Sequence, residues 1–102
     1  MNQPGRYQEE SVPYDLYIER NILSALIQDN QLIDTAVNFI KSDDFFHSNQ
    51  HRIIYKAIIK LYAANDSIDL YTLSNSLKEQ KSLDEAGGYT YLTEIINEAV
   101  ST

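Results

Sequence analysis

The sequence predicts an all-α fold, a compact orthogonal bundle of about six short helices. Apolar residues recur at spacings of three and four from Pro13 onward, and no alternation of period two survives beyond a few positions. The chain has 102 residues, 43% of them hydrophobic, which is enough for one domain with one core. There is no cysteine, so disulfides, thiolate metal sites and cysteine nucleophiles are excluded.

Residues 1–12 contain Pro4, Gly5, Glu9 and Glu10 and almost no large aliphatic side chain, and they read as a flexible leader to a domain spanning 13–102. Asp15 is the natural N-cap of a first helix running from Leu16 to about Gln28. At ~100° per residue, Ile18, Ile22, Leu23, Ala25, Leu26 and Ile27 form its apolar arc. A second helix, from about Gln31 to Ile40, buries Leu32, Ile33, Ala36, Val37 and Ile40. The third, Asn49 to about Ala63 with Ser48 as N-cap, turns Ile53, Ile54, Ala57, Ile58 and Leu61 inward and Arg52, Lys56 and Lys60 outward. Asp69 caps a fourth, which carries Leu70, Leu73 and Leu77. Gly87 and Gly88 form a tight turn into a last helix with Tyr89, Leu92, Ile95, Ile96 and Ala99 inward.

Fifteen acids against eight bases give a net charge of -7, which opposes a sequence-independent grip on nucleic acid. No apolar run approaches the ~20 residues of a membrane span and the polar start is no signal peptide, so the chain reads as cytosolic. No G-x-x-x-x-G-K-[ST] loop is present, so this stretch is not a P-loop ATPase by itself.

Asp43, Asp44, His47 and His51 are the one cluster with metal-ligand chemistry. The position after His47 is Ser48 where a zinc protease needs Glu, and a cap at Ser48 leaves His47 outside the helix that holds His51, which reads as a hydrogen-bonded structural histidine. Glu19 lies inside the apolar arc, between Leu23 and Leu26 and one turn from the expected helix start. It reads as an internal cap on unpaired backbone N–H groups of its own or a neighbouring helix, with an interface role as the alternative. The stripe Arg52, Lys56, Lys60 is either a solvated face or a docking strip for an acidic partner or sister subunit. Tyr91, on the edge of the last helix beside Glu94 and Glu98, is either a half-buried rim tyrosine or an exposed docking anchor.

In order, the motifs resemble the N-terminal domain of the bacterial replicative DNA helicase of the DnaB type. Pro13, Glu19, Leu23, Leu26 and Asp29 match the family's opening Pro, E-A-E-Q-type helix and closing L-x-x-D. DDFF at 43–46 and HRIIY at 51–55 resemble its D-D-F-Y and H-R-x-I-F. SIDLYTLSNSLKEQKSLDEAGGYTYL at 67–92 resembles its P-I-D-L-x-T-L, L-x-x-x-G-x-L-D and G-G-x-x-Y-L run. The departures are Tyr17, Ile18 and Arg20 in the opening helix, Ser24 for a small Gly, Ser67 for Pro, and Lys81 for the turn Gly before Leu83, which suggests a different local turn.

The resemblance implies the helical head of a helicase collar, without catalysis, cofactor or direct nucleic-acid contact of its own. A hairpin, a linker helix and an ATPase motor using ATP and Mg would follow in a longer chain. It further implies a hexamer of sister subunits in the cytoplasmic, nucleoid-associated replisome, with the primase C-terminal domain and the helicase loader as further partners. Tyr91, Glu94 and Glu98, and secondarily Arg52, Lys56 and Lys60, are then the expected partner contacts, with Glu19, His51, Asp69, Gly87 and Gly88 structural. A free-standing helical adaptor with the same head fold is the rival class.

Overall fold

The computed structural model describes residues 3–41 and 45–98, with side chains from Asp15 onward. Among the described residues there are five helices and no strand: α1 (Gln3–Gln28), α2 (Leu32–Phe39), α3 (Asn49–Ala63), α4 (Leu70–Glu79) and α5 (Gly88–Glu98). α1 lies against α5, α3 and α2, while α4 joins α3 to α5.

Capping chemistry sets several of these boundaries. Ser48, in extended conformation, accepts the His51 N–H at 3.3 Å and starts α3. Asp69 and Thr72 form a reciprocal capping box at α4. Asn30 closes α1: its amide donates to the carbonyls of Leu26 (3.0 Å) and Ile27 (3.1 Å), and it pairs with both the N–H (2.9 Å) and the carbonyl (3.3 Å) of Ile68.

Three helical segments end in the same Schellman arrangement, with a left-handed residue at the exit. Asn65 takes φ 64 after α3, Lys81 φ 59 after α4, and Gly87 φ 107 after the turn at 83–86. The N–H of the following residue reaches back five positions in each case, from Asp66 to Leu61 (3.0 Å), Ser82 to Leu77 (2.8 Å) and Gly88 to Leu83 (2.9 Å). At Lys81, where a different local turn was expected, the lysine adopts the left-handed conformation that suits glycine.

The core joins all five helices through Leu23, Ile33, Ile54, Ile58, Leu73, Leu77, Leu92 and Ile95, each at 0% exposure. Phe46 and Tyr55 add to it, with the Phe46 ring centroid 5.1 Å from that of Tyr55 and 4.9 Å from that of the exposed Phe45. Such a buried aromatic contributes about 2–3 kcal/mol.

Four expectations differ from the structure. α1 begins at Gln3 instead of the region of Pro13, so Asp15 is inside the helix and not its cap; a proline within a helix has no N–H for the carbonyl four residues back, which is the local signal for a boundary that this helix crosses. Ile18, Leu32 and Tyr89 are 37%, 44% and 55% exposed instead of inward; periodicity gives the face of the helix a side chain is on, not how far that face is covered. Ala99, also expected inward, and Asp43 and Asp44 lie outside the described residues.

Candidate functional site

The polar centre of the domain is a hydrogen-bonded chain through three helices. Glu19 on α1 is 3% exposed. One carboxylate oxygen accepts the His47 N–H at 2.6 Å. The other accepts His51 Nδ1 at 2.7 Å and, more weakly, the Ser48 N–H at 3.4 Å. Because α1 starts at Gln3, Glu19 is mid-helix, and the backbone donors that hold it belong to the approach to α3.

His51, at 0% exposure, passes the chain onward from Nε2 to the Tyr91 hydroxyl at 2.6 Å. Burial pushes the Glu19 carboxyl up, but the bonds from His47, His51 and Ser48 together outweigh it and hold the group below its ordinary 4.5. Burial lowers His51 below 6.5, and Arg20 adds to this, against the opposing pull of Glu19. A neutral imidazole beside an ionised carboxylate has its proton on Nδ1; Nε2 is then the acceptor and Tyr91 the donor.

Carboxylate, imidazole and hydroxyl in series is also the layout that activates a nucleophile. Here the phenol is held in its protonated form: burial raises its pKa, Arg20 opposes this, and Glu94, Glu19 and Glu98 raise it further. The chain ties α1, α3 and α5 together through side-chain hydrogen bonds.

Further contacts fix Tyr91 and α5. The Arg20 guanidinium lies 5.9 Å from the Tyr91 ring centroid and pairs with Glu98. Ser24 Oγ (3.1 Å) and Gln28 Nε2 (2.5 Å) both donate to the Ile96 carbonyl. A Cβ at Gly87 would come within 2.6 Å of the Tyr91 ring, so this glycine is required by contact as well as by its φ of 107.

The residues singled out in the sequence separate accordingly. Tyr91 is half-buried, with its hydroxyl bonded to His51. Glu94 is exposed, and Glu98 is half-buried in its pair with Arg20. Arg52 Nε donates to the Phe46 carbonyl at 2.8 Å, leaving Lys56 and Lys60 as the solvent-facing part of the stripe. Gly87 and Gly88 both have positive φ, as the tight turn requires.

His47 is exposed, while both ring nitrogens of buried His51 are hydrogen-bonded, so the two do not present a shared ligand face. Among the described residues, no three His, Asp or Glu side chains gather in a metal-ligand group, and no helix is long and apolar enough to cross a membrane. Asn30, Ser24 and Gln28 carry structural roles that the sequence reading missed. Asn30 just past a helix end is a local signal that could have been used, whereas the partner of Ser24 and Gln28 lies some 70 residues away and leaves no local trace.

The family model described as DnaB-like helicase N terminal domain matches residues 11–102. A probable replicative DNA helicase of Trieres chinensis is 36% identical over 90 residues, 88% of this chain and 20% of that protein. The replicative DNA helicase DnaB of Buchnera aphidicola subsp. Acyrthosiphon pisum is 37% identical over 90 residues, again 88% of this chain, and 19% of its own length. This chain thus spans about a fifth of the curated relatives it matches. The crystal structure of the N-terminal domain of DnaB helicase from Mycobacterium tuberculosis superposes with a TM-score of 0.75 at 25% identity, over 81% of this chain and 57% of that one. With the family model covering nearly the whole chain and an all-helical fold shared with a solved member, the chain belongs to the family of DnaB-like helicase N-terminal domains.

Proposed function

We propose that this domain is the head of the N-terminal collar of a replicative DNA helicase, serving ring assembly and the docking of replisome proteins in the cytoplasm. The observation that carries the reading is the match of residues 11–102 to the family, together with 36–37% identity to replicative helicases. The buried hydrogen-bonded chain supports it in a second way: its side chains link three helices, which suits a rigid docking platform.

In this reading the motor elsewhere in the full-length helicase uses ATP and Mg to unwind DNA, and sister subunits, the primase C-terminal domain and the loader are the partners. Glu94 and Glu98 with the Tyr91 edge form one contact surface, and the Arg52, Lys56, Lys60 stripe a second. The test is the full-length helicase bearing this head, assayed for ATP-driven unwinding of a forked substrate and for binding of the cognate primase C-terminal domain. Deleting residues 13–102 is expected to abolish primase binding. Absence of unwinding by the intact protein, or primase binding that survives the deletion, overturns the reading.

A further inference from the structure

Asp15, Ile18 and Glu19 of α1 and Phe45 and His47 ahead of α3 line a cavity of about 210 Å3. Sites for drug-sized ligands run to roughly 300–1,000 Å3, so this one has room for a single long side chain. Ile18 and Phe45, each 37% exposed, supply apolar walls. The Phe45 ring stands edge-on to buried Phe46, with centroids 4.9 Å apart and planes at 83°, so a core residue sets its orientation. Glu19 lines the same cavity at 3% exposure. A carboxylate offers about four acceptor positions, and the His47 N–H, the Ser48 N–H and His51 Nδ1 take three of them. Asp15 is half-buried, and its carboxylate has no hydrogen-bond or ion-pair partner among the described residues.

We propose that this cavity binds an arginine side chain of a basic peptide, with the guanidinium between the Phe45 ring and the Asp15 carboxylate and the stem along Ile18. Its charge selects a cation: two carboxylates and no lysine or arginine line it. The other grooves each carry a base, Lys60 at the end of α3, Arg20 between α1 and α5, and Lys78 with Lys81 beside Leu83. The net charge of -7 draws basic segments toward the domain as a whole, and here one of their charges meets both a free carboxylate and an aromatic ring. A guanidinium suits that pair better than an ammonium, because it is planar and weakly hydrated and stacks on a ring while its edge bonds a carboxylate. An uncharged apolar side chain in the same space would cover the Asp15 and Glu19 oxygens without giving them a donor. The site goes beyond the helicase reading and requires only the head domain and a basic segment.

The test is a nuclear magnetic resonance titration of the nitrogen-15-labelled 102-residue chain with N-acetyl-arginine amide at neutral pH and low salt. The matched probes are the citrulline amide, which has the same shape without the charge, and the lysine amide. The arginine probe is expected to give saturable shifts centred on the amides of Asp15, Ile18, Phe45 and His47, to bind about threefold more tightly than the lysine probe, and to have no saturable counterpart in citrulline. Asp15→Asn and Phe45→Ala should each weaken it about threefold, the usual size of an exposed ion pair or cation–π contact. Asp84→Asn makes the same charge change outside the cavity and should leave the affinity unchanged. Shifts spread evenly over the acidic surface, an equal response to citrulline or lysine, or an Asp15→Asn variant that binds as the wild type does would each overturn the site. Circular dichroism reports the fold of each variant, and the near-isosteric Asp15→Asn keeps the test decisive if Phe45→Ala unfolds. Failure here leaves the helicase reading standing, because that is decided by unwinding and primase binding of the full-length protein.

Discussion

Replacing Glu19 separates two roles that the carboxylate combines, accepting hydrogen bonds and carrying charge. Glu19→Ala leaves three donors, His47 N–H, Ser48 N–H and His51 Nδ1–H, without their acceptor in a site where Glu19 itself is 3% exposed. At about 1–3 kcal/mol for each of the two well-made bonds and little for the 3.4 Å one, the expected loss of stability is about 2–6 kcal/mol. Glu19→Gln can keep its oxygen on the His47 N–H and turn its amide toward Nδ1, which the imidazole accommodates by moving its proton to Nε2. Tyr91 then changes from donor to acceptor, and only the weak Ser48 bond is lost. The expected cost is about 1–2 kcal/mol. Urea unfolding gives the stabilities, and nitrogen-15 spectra of the imidazole give the tautomer: Nδ1–H in the wild type, Nε2–H in the glutamine variant. A wild-type His51 protonated on Nε2, or a glutamine variant as unstable as the alanine one, would refute the relay as described.

Four further outcomes are expected. Lys81→Gly should stabilise the domain by about 0.5–1 kcal/mol in urea unfolding, because φ 59 costs a lysine more than a glycine; a destabilised variant would count against the left-handed exit. Gly87→Ala should cost about 2–4 kcal/mol and Gly88→Ala about 1–2, since only the first adds a collision with Tyr91 to the strain of positive φ, and equal losses would refute the contact. Asn30→Ala should cost about 2–3 kcal/mol through its bonds to Leu26, Ile27 and Ile68, measured as a drop in Tm; an unchanged Tm would contradict that role. Stability should also fall with acidification in two stages. His51 is lowered in the fold, so below about 6.5 the unfolded chain takes up its proton first; Glu19 is also lowered, so its contribution is present above 4.5 and lost as pH falls through its folded value. The urea midpoint should therefore decline between pH 7 and 5, and His51→Gln should flatten that stage; a flat wild-type profile would contradict it.

The helices were legible to the extent that local chemistry sets them. Ser48 and Asp69 carry their own hydrogen-bonding partners within three residues, and both mark the observed starts of α3 and α4. The start of α1 was not legible, because leader-like composition and Pro13 argue locally for a boundary that the observed helix crosses. Ile18, Leu32 and Tyr89 failed for a related reason: periodicity gives the direction a side chain faces but not whether another element lies there. Glu19 was detectable because a carboxylate inside an apolar arc needs donors. Its partners were not, because His47 and His51 are about thirty residues distant and Tyr91 joins only through His51.

The apolar core and the polar chain do different work in placing α5. Leu92 and Ile95 bury equally well over a range of small rotations and slides, because dispersion and water exclusion are non-directional. The contacts that remove this freedom are directional: Tyr91 to His51, Ser24 and Gln28 to the Ile96 carbonyl, Arg20 to Glu98, and the bare Cα of Gly87 under the Tyr91 ring. Loss of one of them should therefore alter the orientation of α5 more than its burial, so Tyr91→Phe should keep most of the stability while broadening the amide resonances of α5. Because Glu94 rides on that helix, the same substitution should also weaken any docking through its outward face without touching a residue of that face.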